Sequence, residues 1–368
     1  MAAMTPKLEL RDLEKRFDEV EAVKRLSLVL NQGEFVSLLG PSGCGKSTTL
    51  AMVAGFETPS AGSILVDGQS VEALPPQRRR IGLVFQDYAV FSKLSVRSNL
   101  AFGLEAKGVP SAARAKAVTA MAERLDLMGL LDRRGDRLNM SEMQRVAIGR
   151  VLVTEPQLVL LDEPMSNLDA SLRASLRGEM KLIQKQLRQT ILYVTHDQVE
   201  AMSMSDRIAV MSMGELQQIG TPEEIYRRPR NRFVAEFIGD PPINLIPCDV
   251  RTSGDQVAVT TAGHRDLVLG RGRASGGRHW LGLRPHDIRI GPAAEAGAGS
   301  FPVRFLETLG AEEVLHIEYG EQLLQAVTPT GAAREGDRVT LQFDLKRTLL
   351  IDAGSDIVLP LEPIGAAA

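Results

Sequence analysis

The chain has 368 residues and a mass of 40.0 kDa, a length that suggests two domains and not one. Hydrophobic residues make up 44% and charged residues 24%, while aromatics fall to 4% with a single Trp, a globular balance that argues against an aromatic nucleic-acid surface. The formal net charge of −3 gives no general attraction for polyphosphate backbones, and two cysteines, Cys44 and Cys248, exclude a disulfide framework or four-thiolate zinc site and suit a reducing cytoplasm.

The opening MAAMTPKLELRD does not read as a secretory signal, and no run of 18 apolar residues occurs, so neither leader nor membrane span is expected. EFVSLLG (34–40) then reads as a buried strand, continuously apolar and bounded by turn residues. Residues 113–131 place apolar side chains three or four apart and predict a helix. QLVLLDEP (157–164) repeats the strand pattern, 170–189 the helical one, and ILYVTHD (191–197) and RIAVM (207–211) are two further strands. Alternation of this kind predicts an α/β layer with a largely parallel sheet. The run IGDPPINLIP (238–247) carries two adjacent prolines and reads as a linker, which divides the chain into 1–238 and 239–368.

Beyond the linker the composition changes. From 241 onward there is one lysine, Lys346, and 12 basic residues stand against 16 acidic ones; before it the balance is 31 against 30. Short β-like runs (QVAVTT, DLVLG, HWLGLRP, EVLHIEY, RVTLQF, TLLIDAG) alternate with Gly-rich turns, which predicts a small all-β barrel or sandwich.

The sharpest signal is Gly40-Pro41-Ser42-Gly43-Cys44-Gly45-Lys46-Ser47, which fits G-x-x-x-x-G-K-[ST] between a strand and a helix. Its glycines let backbone N–H groups wrap phosphates, and the helix N-terminus adds a favourable dipole. Lys46 would bridge the β- and γ-phosphates and the Ser47 hydroxyl would ligate Mg²⁺, with Thr48 also against the nucleotide. Cys44 reads as a small loop residue, not a nucleophile. The second half is the strand tip QLVLLDEP, where Asp162 would hold the metal and Glu163 would orient and polarise the attacking water.

Around this P-loop, Phe17 (KRF), Gln86 (VFQDYAVF), LLDEP, SNLDA (166–170) and THDQVEAM (195–202) occur in that order, and the chain resembles the ATPase subunits of ATP-binding-cassette (ABC) transporters. It is most similar to the subunits of sugar and polyol importers, of maltose and glycerol-phosphate type, and the likeness covers essentially the whole chain; LRPHDI (283–288) is similar to a motif of their C-terminal domain. The resemblance implies a P-loop ATPase domain with a helical subdomain at about 87–155, followed by a β-rich, OB-like TOBE-type domain for regulation or dimer contact. It implies that Phe17 stacks on adenine, that Gln86 touches Mg²⁺ and the water, that Asp169 reaches across a dimer interface, and that His196 contacts the γ-phosphate.

One motif departs from the family. The L-S-G-G-Q signature is replaced: Asn139 stands at its serine, Met140 and Ser141 at its glycines and Glu142 at its glutamine, ahead of an unaltered QRVAIGR (144–150). In the family that loop offers a hydroxyl and glycine N–H groups to the ATP bound by the opposite subunit. Each charge-assisted hydrogen bond lost there is worth about 1.5–3 kcal/mol. Asn139 could still donate, and Glu142 could accept from ribose hydroxyls.

The resemblance therefore implies an ATP- and Mg²⁺-dependent subunit energising import of a sugar, polyol or related solute from the cytoplasmic face of the inner membrane. Its partners would be transmembrane permease subunits, a second ABC ATPase subunit and, indirectly, a periplasmic or extracellular solute-binding protein, with no nucleic acid. The broken signature favours a heterodimer, with a homodimer left open. The alternative is a regulatory or structural ATPase-like subunit with little hydrolysis of its own.

Overall fold

In the computed structural model, which describes residues 6–166, 168–292 and 299–362, the chain opens on two long antiparallel strands, β1 (Pro6–Phe17) and β2 (Val20–Asn31). Leu8, Leu10 and Leu13 are buried from one strand, with Leu26, Leu28 and Leu30 from the other. The alternation slips between Leu10 and Leu13, where the register shifts and Asp12 takes a left-handed φ of 43°. That bulge breaks the period of two by which the sequence would declare a strand.

β3 (Phe35–Leu39) follows, buried at all five positions, and feeds α1 (Lys46–Ala54). β4 (Ala61–Val66) and β5 (Gln69–Ser70) extend the first sheet to the order β2-β1-β4-β5. After β6 (Ile81–Val84) come α2 (Val96–Ala106), α3 (Ser111–Arg124) and α4 (Met140–Leu152). The helix expected over 113–131 is shorter than its pattern. It ends at Arg124 because Asp126 turns left-handed (φ 54°), which carries Leu127 into full burial. β7 (Leu158–Asp162), α5 (Ala170–Leu187), β8 (Ile191–Thr195), α6 (Gln198–Met204), β9 (Arg207–Ser212) and β10 (Glu215–Gly220) complete the α/β part.

The second sheet runs β10-β9-β3-β8-β7-β6, parallel except for the β9–β10 hairpin. Two apolar clusters hold these layers. One joins the helices α2, α3 and α4 through Leu100, Met121 and Val146 to sheet residues such as Leu161 and Tyr193. The other lies between the two sheets, joining Leu8, Leu28 and Ile64 to Val36, Leu160 and Val194. Full burial of each such side chain contributes about 1.5–3 kcal/mol before the entropy of ordering it.

The residues from Glu223 form a second compact unit. α7 (Pro222–Arg227) and α8 (Arg232–Phe237) lead into β11 (Asn244–Ser253), β12 (Gln256–Thr260), β13 (Leu267–Arg271) and β14 (Gly277–Leu283). Next come β15 (Ile288–Pro292), β16 (Ser300–Thr308), β17 (Glu312–Tyr319), β18 (Gln322–Pro329), β19 (Arg338–Phe343), β20 (Leu349–Asp352) and β21 (Val358–Leu359). They pair antiparallel in two sheets, β13-β12-β11-β14-β20-β21 and β15-β19-β16-β17-β18, with a shared core of Val257, Leu281 and Leu350 against Val303, Leu315 and Val339.

The compact units divide between Pro222 and Glu223, ahead of the proline run at which the sequence suggested a boundary. The reason is Arg284, 4% exposed at the end of β14. Its Nη1 donates to the carbonyls of Ala235 (3.0 Å) and Ile238, its Nη2 to that of Tyr226 (3.0 Å), and the guanidinium lies over the Tyr226 ring. Both short helices thereby belong to the β-rich unit. Gly239 next to them has φ 120° and would bring a Cβ to 2.8 Å from Arg284 Nη1. Gly239→Ala is therefore expected to destabilise this unit by about 1–3 kcal/mol. Denaturant unfolding followed by the fluorescence of Trp280, the sole tryptophan, measures it; an unchanged midpoint would contradict the packing described.

Candidate functional site

The site residues converge because of strand order. β3, β8, β7 and β6 are successive parallel neighbours, so their carboxyl ends form one edge. At that edge stand, in the same order, the P-loop, His196, the Asp162–Glu163 pair and Gln86. Ligands of open α/β sheets bind at such an edge.

Between β3 and α1 the loop from Gly40 to Gly45 is held from both sides. A Cβ on Gly40 would lie 2.3 Å from the Met211 carbonyl oxygen, and one on Gly45 (φ 98°) 2.4 Å from that of Ala22. No side chain of any size fits either position. Pro41, Ser42 and Gly43 face outward, and α1 starts without a side-chain cap, so its first N–H groups are left for a ligand. Lys46 is buried and donates to the carbonyls of Gly40 (2.8 Å) and Pro41 (2.9 Å), bonds that phosphate oxygens would replace. Cys44 is buried and burial pushes its thiol up, as a packing residue requires. Thr48 is half-buried in the first turn of α1.

Ser47 Oγ donates to Asp162 Oδ1 at 3.1 Å, joining the two halves of the phosphate site. Burial raises the Asp162 carboxyl above its ordinary range; the Ser47 hydrogen bond lowers it, the adjacent Glu163 raises it and Lys46 lowers it. Glu163 has a left-handed φ of 43° and accepts from His196 Nδ1 at 3.0 Å. That contact leaves Nε2 as the imidazole nitrogen available to a phosphate oxygen. Gln86 Nε2 donates to Ser166 Oγ (3.1 Å), which donates in turn to the Glu163 carbonyl (3.0 Å). The predicted catalytic and metal residues are thus one connected set. An oxygen-rich set of a hydroxyl, an amide oxygen and a carboxylate beside a second carboxylate fits a hard divalent cation.

The supporting residues were not singled out from sequence. Arg173 on α5 binds Asp197 Oδ2 (2.9 Å) and the Leu168 carbonyl (2.9 Å), tying the segment before α5 to the residue after His196. Asp197 caps α6, accepting from Val199 and Glu200 N–H groups. Glu200, buried and raised by that burial, accepts from Tyr193 and Thr195 at 2.7 Å each. The THDQVEAM motif holds three of these residues, but the partners lie on other elements.

The remaining predicted residues are disposed differently. Phe17 ends β1, 43% exposed, with Lys15 Nζ 4.6 Å from its ring centre. Asp169 caps its own helix, accepting from Leu172 N (2.9 Å), and Asn167 of the same motif lies outside the described residues. At α4 Asn139 and Glu142 face each other: Asn139 Oδ1 accepts from Glu142 N (2.9 Å) and Glu142 Oε2 accepts from Asn139 N (2.8 Å), a reciprocal capping box. Arg133 adds an ion pair to Glu142 at 3.3 Å. The Glu142 carboxylate, read from sequence as an acceptor for ribose hydroxyls, is here engaged with the chain itself, while the capping box uses the Asn139 oxygen and not the amide nitrogen read as a donor. Met140 packs against the helical core, and Ser141 is half-buried.

Fold and site together define a P-loop ATPase of the cassette type. Residues 23–166 match the ABC transporter family and residues 281–351 the TOBE domain. The chain is 44% identical over 369 residues to the xylose/arabinose import ATP-binding protein of Haloferax volcanii, with 94% of each chain covered. It is 42% identical to the trehalose/maltose import ATP-binding protein of Thermococcus litoralis, covering 94% of this chain and 97% of that one. It is 44% identical to the sn-glycerol-3-phosphate import ATP-binding protein of Salmonella paratyphi A over 86% and 89% of the two. Among solved structures it is similar to a subunit of the cbiONQ ABC transporter complex of Clostridium perfringens, with a TM-score of 0.57 and 31% identity, over 60% of this chain and 90% of that one. The chain belongs to the ABC transporter family and is an ATP-binding, ATPase-type subunit with a β-rich TOBE domain.

The raised Asp162 carboxyl makes a stability prediction. Folding favours its protonated form, so the stability this group confers is present at low pH and is lost as pH rises through its folded pKa. Asp162→Asn, which keeps an oxygen for Ser47, is expected to raise the melting temperature of the nucleotide-free protein at mildly alkaline pH. The gain should shrink as the pH is lowered; a lower melting temperature at alkaline pH would refute this.

Proposed function

We propose that this chain hydrolyses ATP to energise import of a sugar, polyol or related solute, working with permease subunits at the cytoplasmic face of the membrane. The observation that carries the reading is the connected set Ser47–Asp162 and Glu163–His196 at the mouth of the P-loop. The relatives, import proteins for pentoses, disaccharides and glycerol phosphate, support the solute class. No helix among the described residues is long and apolar enough to cross a membrane, so the path through the bilayer would belong to the permease partners. A solute-binding protein would act indirectly, upstream of them.

In this reading the P-loop N–H groups and Lys46 bind the phosphates, and Phe17 stacks on adenine. Ser47, Gln86 and Asp162 would hold Mg²⁺, which when bound neutralises charge on the β- and γ-phosphates. Glu163 accepts a proton from the water whose oxygen attacks the γ-phosphorus, and the bridging β–γ bond breaks to release ADP. His196 keeps Glu163 oriented and meets a γ-phosphate oxygen. Glu163→Gln is expected to lower turnover about 10²- to 10⁴-fold while ATP binding persists; unchanged turnover would remove Glu163 from this role.

The signature loop supports a finer reading, a heterodimer with a related subunit. In a closed dimer the N-terminus of α4 would face the ATP held by the other chain, with Asp169 beside it. The Glu142 carboxylate sits at that N-terminus, where a polyphosphate would otherwise find unpaired N–H groups. Two such loops in a homodimer would weaken both sites; a partner with an intact signature would complete the one formed by this chain's own P-loop. Restoring the family motif by Asn139→Ser, Met140→Gly, Ser141→Gly and Glu142→Gln together should raise turnover of the purified chain alone at least about tenfold. Equal turnover of the two forms would sink the heterodimer.

A further inference from the structure

The β-rich unit contains a cavity of about 680 Å³ with no assigned role. That volume lies within the range of small-molecule sites. None of its lining residues belongs to the ATP site.

Its chemistry is cationic. Arg284 lines it while almost fully buried, and its Nη atoms are taken up by main-chain carbonyls. Those oxygens satisfy donors but do not neutralise the charge, and among the described residues Arg284 makes no ion pair. Its Nε is buried without a hydrogen-bond partner, and burial lowers its pKa. Asp287 offsets part of that charge at longer range, and a buried cation so little compensated calls for an anion. Lys346 lines the same cavity, exposed and with no ion pair among the described residues. Arg347, Arg227 and Arg228 bring the cations to five; the one carboxylate in the lining, Asp287, is bound to Arg347 at 2.9 Å, Arg347 also meets Asp344 at 3.6 Å, and Arg227 pairs with Glu223 at 3.5 Å. The lining also includes the apolar side chains of Leu349 and Val358, and the Tyr226 ring on which the Arg284 guanidinium lies.

We propose that the cavity binds a phosphomonoester, its dianionic phosphate meeting Lys346 and Arg347 in the field of the buried Arg284 charge and its organic part lying on the apolar wall. Five lining cations, Arg227, Arg228, Arg284, Lys346 and Arg347, against one carboxylate, Asp287, exceed what a monocarboxylate would neutralise even with Arg227 paired to Glu223 and Arg347 also to Asp344, whereas a phosphate presents three oxygens and about two negative charges. The ester could be a soluble metabolite or a lipid headgroup.

The protein carries its own reporter, because Trp280, its sole tryptophan, packs in one cluster with Leu349 and Val358 of the cavity wall. Tryptophan emission of the full chain is titrated with glucose 6-phosphate, with glucose as the uncharged control. In parallel, flotation is measured with phosphatidylcholine vesicles doped with phosphatidic acid. A saturable change with glucose 6-phosphate and none with glucose identifies a soluble ester; capture by the doped vesicles with no response to glucose 6-phosphate identifies a lipid one. In either arm Lys346→Gln should weaken binding about tenfold or more, and Lys346→Arg should restore it. Lys346 is exposed, so its replacement leaves the fold intact. Failure of both arms, a response to glucose equal to that of its phosphate, or binding undiminished in Lys346→Gln would overturn the proposal; the last would place the anion at the P-loop or elsewhere.

Discussion

Two main-chain carbonyls set the geometry on which the rest of the ATPase part depends. The oxygens of Ala22 and Met211 press on the P-loop from β2 and β9, and only glycine at 45 and 40 lets the loop pass between them. Held there, the loop cannot collapse onto the N-terminus of α1, and the first N–H groups of that helix stay open to phosphate. The same grip fixes the end of β3, and strand order then brings His196, Glu163 and Gln86 to neighbouring positions. A substrate site thus emerges from packing of backbone against backbone before any catalytic side chain is considered.

The same helix-terminus physics gives opposite results at α1 and α4. α1 begins at a glycine that offers no side-chain cap, which leaves its orphan N–H groups open to an anion. α4 begins with Asn139 and Glu142 in a closed reciprocal pair, with negative charge already placed at the dipole's positive end. Stability and anion binding compete for the same few N–H groups. At α4 the sequence favours stability, and Arg133 reinforces it.

Legibility in the sequence followed the range of the interaction. The P-loop, LLDEP and THD were readable because their chemistry is written in consecutive residues, and the parallel strands because burial on both faces leaves unbroken apolar runs. The first sheet was hidden by the bulge at Asp12, which resets the alternation after Leu10. Arg173 with Asp197 and Arg284 with three distant carbonyls were invisible because each joins separate elements. The capping box is instructive in a different way. Asn139 and Glu142 stand at the N-x-x-E spacing of such a box, so the same four positions that depart from the signature carry a local signal for the cap they form.

The position of Arg284 also bears on how such chains exchange parts. A recombination seam placed at the proline run would separate the guanidinium from the carbonyls of Tyr226 and Ala235 that surround it, leaving a charged group sealed in a β-rich module with no replacement partners. A seam ahead of Glu223 carries both short helices along and keeps the buried charge solvated by its own chain. The separable β-rich unit of this chain is therefore longer than its β-strands, and grafts that respect strand boundaries alone would inherit an unsolvated cation.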